Sequence, residues 1–364
     1  MENLGIDKTF WKNRKVLITG HTGFKGGWLS LWLQHMGAEV VGLSLDPPTN
    51  PSLFLQAELA YGMKSLHADI RDNALMQRKF DEYKPEILFH LAAQPLVRLS
   101  YEAPVETWET NVMGTLHVLE AARTAASVRA AVIVTSDKCY ENREWIWGYR
   151  ENDPMGGHDP YSSSKGAAEL LVSSYRRSYS PDDTGEGPGM AIASARAGNV
   201  IGGGDWADDR LIPDIVRALK AGEEMCVRYP GAVRPWQHVL DPLSGYLVLA
   251  QELHAKGNAF AGGWNFGPGA ADAMPVRWMI QQVMEMWGAD GAWVLDNKKN
   301  PHEAGYLKLD CSKAHEKLAW RPRWNVTQAL KKTVEWYKAE ALGVKDLRAL
   351  CLAQIESYMV QEGT

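Results

Sequence analysis

Tyr161-Ser162-Ser163-Ser164-Lys165 sets a phenol and a primary amine four residues apart. On a helix those positions share a face, so both groups can enter one pocket. A nearby ammonium lowers a phenol's pKa from its ordinary value of about 10 and brings a phenolate within reach of neutral pH. Such a base can take the proton of a substrate hydroxyl while hydride leaves the same carbon for a nicotinamide. Upstream, the apolar run ending at Val134 continues into Thr135-Ser136-Asp137-Lys138. Ser136 would share a hydrogen bond with the hydroxyl that Tyr161 deprotonates. Asp137 and Lys138 add an acid and a base that simple alcohol oxidation does not need. Loss of water beside a newly formed ketone does need them: one group removes the proton next to the carbonyl, the other protonates the departing hydroxyl. Both features have plainer explanations, a solvated helix face for the YxxxK pair and surface charges at a strand end for Asp137 and Lys138.

A second constellation precedes these. Gly20-His21-Thr22-Gly23-Phe24-Lys25-Gly26 is a GxxGxxG string between a short apolar run and a helical pattern. Glycines there let the backbone turn sharply and approach a pyrophosphate, whose charge sits at the helix N-terminus. A carboxylate at the end of the following strand would bond a ribose 2′-hydroxyl and repel a 2′-phosphate. Ser44 holds that strand end and Asp46 follows it, before Pro47 and Pro48, where an ordinary turn residue is also expected. With no Arg close by in the sequence, NAD is expected rather than NADP. Asp69 and Ile70, after a third strand, are candidates to bond an adenine amine and pack on its face.

Elements of the right kind surround these residues. Lys15 to Thr19 reads as a buried strand, a helix runs from Gly27 to a stop at Gly37, and Glu39 to Leu45 reads as the next strand. Further strands are expected over Ile87 to Ala92, Ala130 to Ser136 and Met190 to Ala195, with helical spacing at Val112, Leu116, Leu119 and Ala122 between them. Alternating strands and helices predict an α/β protein with a doubly wound, Rossmann-like parallel sheet. Beyond Asn199 the texture changes: a glycine loop at Gly202 to Gly204, a helix from Arg210 to Leu219, and a last helix from Thr327 to Leu342. A smaller α+β region for the substrate is expected there, over the C-terminal edge of the sheet. The expected division is a cofactor domain of 12–200 plus 236–268 and a substrate domain of 201–235 plus 269–350. The segment Ser180 to Gly189 reads as an exposed loop.

Composition narrows the function classes. The 364 residues are 45% hydrophobic and 23% charged, with a formal charge of -5, which provides no electrostatic footprint for nucleic acid. No apolar run approaches the ~20 residues of a membrane span, and Met1 to Asn13 lack a signal peptide's apolar stretch. Cys139, Cys226, Cys311 and Cys351 form no CxxC pair, which suits reduced thiols in a cytoplasm. His302 and Glu303 have no partner cluster, so no metal is expected. Most of the 15 Trp are expected in the core, with one or two free to cover a pocket.

Together the motifs resemble the extended short-chain dehydrogenase/reductase family, within its sugar-nucleotide dehydratase branch. The resemblance runs along nearly the whole chain, through GHTGFKGGWLSLWL, HLAAQPLVRLSYEAP, TSDKCYENREWIWGYRENDPMGG, DPYSSSK, RAGNVIGGGDWADDRLIPD, RPWQHVLDPLSGY, WNFGP and HEAGYLKLDCSKA. It implies that NAD is held by Gly20, Thr22, Gly23, Phe24, Lys25, Gly26, Asp69, Ile70, Leu91, Ala92, Ala93, Asn111, Tyr161 and Lys165. It also implies that Gln94, Asn199, Arg210 and Arg234 bind substrate, the last three at its diphosphate. Most of that branch carries Asp-Glu where this chain has Asp137-Lys138, a departure shared with members acting on CDP-glucose, so CDP-glucose is the expected substrate. By resemblance Tyr161, assisted by Ser136 and Lys165, oxidises C4, Lys138 removes the C5 proton and Asp137 protonates the C6 hydroxyl. A homodimer or homotetramer built through a helix pair is implied too. A sugar-nucleotide 4-epimerase shares the Ser–Tyr–Lys set but has no use for Asp137-Lys138. A noncatalytic NAD-binding scaffold would be expected to have lost Tyr161 or Lys165.

Overall fold

The computed structural model describes residues 5–180, 189–289, 293–296 and 305–360. Seven strands form its central sheet: β1 (Lys15–Thr19), β2 (Glu39–Ser44), β3 (Lys64–His67), β4 (Ile87–His90), β5 (Ala130–Val134), β6 (Ala191–Arg196) and β7 (Gly262–Asn265). Their spatial order is 7-6-5-4-1-2-3, and every neighbouring pair is parallel. The order reverses between β1 and β4, which opens a crevice at their C-terminal ends where doubly wound sheets take ligands.

Period-two alternation assigns the faces. Val16 and Ile18 of β1, Ile87 and Phe89 of β4, and Ala130, Val132 and Val134 of β5 join one core with the helices Phe24–His35 and Leu240–Lys256. Leu17, Leu88, Ala131 and Ile133 point the other way, into a core shared with Asn73–Tyr83, Thr115–Thr124 and Pro160–Tyr179. Nine of the tryptophans are buried, among them Trp11, Trp28, Trp32, Trp264 and Trp336. Trp147 is exposed instead.

Among the boundaries that differ from the sequence expectation, three lie where the crevice begins. The helix after the glycine turn starts at Phe24, because the turn is itself the helix N-terminus with Gly23 as its cap. β4 stops at His90: Leu91 N–H still donates to the Thr19 carbonyl at 3.0 Å, and Ala92 N–H turns to the Thr19 hydroxyl at 3.2 Å. β5 stops at Val134, where the chain bends to present Ser136 and Asp137. The expected last helix spans Val326–Ala341 and is not the last: Leu347–Val360 follows. Its Cys351 and Tyr358 pack on Trp336 and Trp32.

Over the crevice lie the helix Leu211–Ala221 and two-stranded pairs of Met225–Val227 with Trp293–Leu295 and of Val233–Pro235 with Ala273–Pro275. Most of the predicted 180–189 loop lies outside the described residues, as do His302 and Glu303. Among the described residues no helix is long and apolar enough to cross a membrane, and no group of three metal-ligating side chains occurs.

Candidate active site

A crevice of about 1180 Å³ runs along the C-terminal ends of β1, β2, β4, β5 and β6. Its floor is the glycine turn. Gly20 has φ +80°, and a Cβ there would lie 2.6 Å from Ala92 N. A Cβ on Gly26 would lie 2.1 Å from Gly20 O. Both obstacles are backbone, so the turn exists only without side chains at these positions. Gly23 is different: its Cβ would stand 3.4 Å from Gly20 O and face the open crevice. This is the cradle a pyrophosphate requires, backed by a twelve-residue helix, and the dinucleotide fits it.

The predicted cofactor residues Gly20, Thr22, Gly23, Phe24, Lys25, Gly26, Asp69, Ile70, Leu91, Ala92, Ala93, Tyr161 and Lys165 all line this crevice. Asn111 does not. It is buried in a π-helical turn, where Oδ1 accepts from Gln94 N (2.8 Å) and Nδ2 donates to Gln94 O (3.0 Å) and Ser164 Oγ (2.9 Å). With its amide so occupied, it acts as a brace between the Ala92–Gln94 wall and the Tyr161 helix. At the far rim Asp69 is held by Arg71, with bonds of 3.0 and 2.7 Å to its Oδ2, so an Arg does stand in this crevice. Its guanidinium is engaged by that carboxylate. Thr22 Oγ1 and Ser44 Oγ share a bond of 2.7 Å at the end of β2, and Asp46 is almost fully exposed beyond them.

The reacting end is assembled from two segments. Pro160 and the Asp159 cap, which accepts from Ser162 N at 2.9 Å, start the helix Pro160–Tyr179 and place Tyr161 and Lys165 on its buried face. The bend after β5 supplies Ser136, whose Oγ donates to Asp137 Oδ1 at 3.0 Å and accepts from Lys138 N at 3.2 Å. Tyr161 lines the same crevice as Ser136. Burial pushes the phenol up to about 12, with Ser136 and Arg210 pulling against it. The expected lowering by Lys165 is not found, because desolvation dominates at this depth. Lys165 itself is pushed down to about 8 by burial, with Glu169 opposing.

Two features here escaped the sequence reading. The ammonium of Lys25, expected only for its place in the glycine turn, is half-buried and lies 3.4 Å from Tyr246 Oη. It is pushed down to about 8 by burial and by Arg210 and Lys165, with Asp137 opposing. Gly198 is the second: a Cβ there would meet Asp137 Oδ2 at 1.8 Å. Beneath both segments, Glu169 accepts from Ser194 (2.7 Å), from Arg196 through both nitrogens (2.9 and 2.7 Å) and from Thr135. That buried pair ties β5, β6 and the Tyr161 helix together. A Glu four residues after Lys165 on the same helix face was its only sequence signal.

Lys138 lines the crevice and is exposed. Gln94 lines it with its amide spent on Thr107 (2.9 Å) and Leu96 (3.1 Å). Asn199, at φ +49°, Arg210 and Arg234 also line the crevice. Arg210 donates to Asp205 at 2.8 Å, and Arg234 to the carbonyls of Val233 and Gly305 at 3.1 Å each. Arg98 and Arg228, both bonded to Asp209, stand beside them. These arginines line one crevice with the glycine turn, and guanidinium groups suit recognition of a diphosphate.

The family model described as GDP-mannose 4,6 dehydratase matches residues 17–333, and the chain belongs to that family. It is 54% identical to the CDP-glucose 4,6-dehydratase of Salmonella typhimurium, over 97% of this chain and 98% of that one. A dTDP-D-glucose 4,6-dehydratase of Bos taurus is 27% identical over 93% and 92% of the two chains. Among solved structures, a dTDP-glucose 4,6-dehydratase of Streptomyces venezuelae with NAD bound superimposes with a TM-score of 0.75 at 25% identity, over 92% of this chain and 99% of that one. A UDP-glucose 4-epimerase of Thermotoga maritima reaches 0.77 at 24% identity, over 90% and 99%, and so shares the fold.

Proposed function

We propose that the protein is a hydro-lyase that converts CDP-D-glucose to CDP-4-dehydro-6-deoxy-D-glucose, with NAD retained between turnovers. The observation that carries the reading is the buried Asp137 carboxylate, 3.0 Å from the Ser136 hydroxyl, in the same pocket as the Tyr161–Lys165 pair. A 4-epimerase has no step for such an acid. The cytidine assignment is supported by the 54% identical relative of that name.

The cofactor, held along the glycine turn and beside Tyr161 and Lys165, supplies a reversible acceptor for the hydrogen that leaves C4 and returns to C6. Tyr161 takes the C4 hydroxyl proton while Ser136 orients that oxygen. Lys165 sets the electrostatics of the pocket as a cation beside the reacting centre. The C4 ketone acidifies C5, and Lys138 removes the C5 proton once the bound hexose covers its amine. Asp137 protonates the C6 oxygen, which leaves as water, and Lys138 returns its proton to C5. Asn199, Arg210 and Arg234 hold the diphosphate, and Gln94 shapes the sugar pocket.

The reading extends to the setting. The four free cysteines suit a reducing cytoplasm. Exposed Val105, Trp108, Met113 and Leu170, on the helices beside the site, suit a homodimer or homotetramer. The cofactor domain is assigned 12–200 plus 236–268 and the substrate domain 201–235 plus 269–350. Incubating the protein separately with CDP-, UDP- and dTDP-glucose, without added NAD, tests the whole. Loss of one water from CDP-glucose alone is expected. Sugar of unchanged mass and inverted C4, with NAD supplied, would establish an epimerase instead.

A further inference from the structure

We propose that His90 is a positioning residue, whose imidazole sets the cofactor wall and Tyr161 at their working distance through an unbroken chain of buried hydrogen bonds. The inference rests on the dehydratase reading above and adds to it a residue outside the crevice.

The chain begins beside the glycine turn. Thr19 ends β1 immediately before Gly20, and its hydroxyl accepts from Ala92 N at 3.2 Å. His90 ends β4 and is paired with Thr19 across the sheet. Its ring lies between two threonines, with Nδ1 2.6 Å from Thr19 Oγ1 and Nε2 3.0 Å from Thr115 Oγ1. Thr115 opens the helix Thr115–Thr124, and its hydroxyl donates to Asn111 O at 2.7 Å. Asn111 Nδ2 donates to Ser164 Oγ at 2.9 Å, and Ser164 Oγ donates to Tyr161 O at 2.7 Å. Thr19, His90, Thr115, Asn111 and Ser164 are all buried, and none of the five lines the crevice.

Each hydrogen along the chain has one place. The Thr115 hydroxyl hydrogen is spent on Asn111 O, so its oxygen accepts from His90, and Nε2 carries the ring hydrogen. The other nitrogen of a neutral imidazole is an acceptor, and the Thr19 hydroxyl donates to it. Burial, and after it Lys165, hold His90 down to about 3, so the ring is neutral at working pH. Both ring nitrogens are thus engaged, and a rigid ring fixes the separation of two threonines on different elements. An apolar side chain here would deprive the buried Thr19 hydroxyl of its acceptor.

The reaction depends on that separation. Hydride leaves C4 only where a sugar placed by Tyr161 meets a cofactor held along the glycine turn, and the two holders belong to different segments. The chain joins them behind the crevice wall. An error of about 1 Å between reacting groups costs on the order of 10²-fold in rate.

Thr115→Val and His90→Leu break the chain at neighbouring links, and Thr115→Ser keeps the hydroxyl. Holoenzyme of each is assayed for kcat and KM on CDP-glucose, with NAD affinity by equilibrium dialysis and stability by thermal melting. Both breaking variants should lose at least ~10-fold in kcat. Thr115→Val should keep KM and NAD affinity within about threefold, since Thr115 lies outside the crevice. Thr115→Ser should recover kcat to within about threefold of wild type. The two losses belong to one chain, so the double variant should be no more than about threefold slower than the slower single variant. Should His90→Leu not fold, Thr115→Val, which keeps the shape of threonine, carries the test with its serine control.

Thr115→Val with wild-type kcat and only a lower melting transition would overturn the proposal and make the chain a support of the fold alone. So would an equal loss of kcat in Thr115→Ser. The dehydratase reading would survive either result. A wild type that does not dehydrate CDP-glucose would overturn that reading and the role of His90 with it.

Discussion

Gly198→Ala should disable the enzyme without touching a reactive group. A methyl on Gly198 would stand 1.8 Å from Asp137 Oδ2, 2.1 Å from its Cγ and 2.6 Å from Oδ1. Ordinary contact begins near 3.4 Å, so the carboxylate must retreat by roughly 1.6 Å. The backbone of Gly198 has little freedom to yield instead, because its carbonyl accepts from Gln237 Nε2 at 3.2 Å and Gln237 is fully buried. Rotating Asp137 away breaks its 3.0 Å bond with Ser136. A displacement of about 1 Å at a catalytic group costs on the order of 10²-fold in rate, so turnover should fall by ~10² or more. The assay is mass-spectrometric loss of water from CDP-glucose, run beside NAD affinity by protein fluorescence. The affinity should stay within about threefold, since Gly198 lies at the sugar end of the crevice. Wild-type turnover by Gly198→Ala, with the fold intact by circular dichroism, would refute the placement of Asp137 as the acid.

Other perturbations probe the frame around the site. Gly26→Ala drives a Cβ to 2.1 Å from Gly20 O and should abolish NAD binding in equilibrium dialysis, whereas Gly23→Ala, with 3.4 Å available, should keep the native melting transition and report only the cofactor's closeness. Glu169→Gln leaves the Arg196 guanidinium buried without its counter-charge, and urea unfolding should show a loss of about 3–5 kcal/mol. Burial alone would raise the Glu169 pKa, but Arg196, Thr135 and Ser194 hold it below the ordinary carboxylate value. Its contribution is therefore present above the unfolded pKa of about 4.3 and lost as pH falls through the depressed folded value; the variant should lack that acid-side loss. Asp241 has the opposite sign. Burial pushes it up to about 7 against bonds from Arg323 N and Tyr358 Oη at 2.8 Å each, so its contribution is full below about 3.9 and lost as pH rises through about 7. Asp241→Asn should remove the decline in unfolding free energy between about pH 4 and pH 7.

The parts of this molecule that were legible in its sequence are those fixed by local rules. Alternation in β1, β4 and β5 and the glycine turn before Phe24 define a doubly wound sheet without any long-range information, and Tyr161 and Lys165 fall on one face by helical spacing alone. Strand ends were read two residues long at Ala92 and Ser136, because the turn of the backbone toward Thr19 and into the Ser136 bend is a tertiary event. The final helix was overlooked although Leu347, Cys351, Ile355 and Tyr358 repeat at helical spacing. The Tyr161 pKa was read with the wrong sign because a neighbouring charge is visible in a motif and desolvation is not. Gly198 against Asp137 and Lys25 beside Tyr246 join residues up to 221 positions apart, and no window of sequence contains them, whereas Arg71 stands only two residues from the Asp69 it pairs with. Asn111 was expected at the cofactor, and its bonds to Gln94 and Ser164 instead make it a brace one layer behind.

The central claim is that hydrogen leaves C4 of the hexose and arrives at C6 of the same molecule. CDP-glucose carrying deuterium at C4 tests it in one experiment: the product is isolated and its C6 methyl group examined by NMR and mass spectrometry. The account predicts deuterium on C6, with one water lost and the C5 position open to solvent hydrogen. Deuterium still on C4, with or without inversion there, would contradict it.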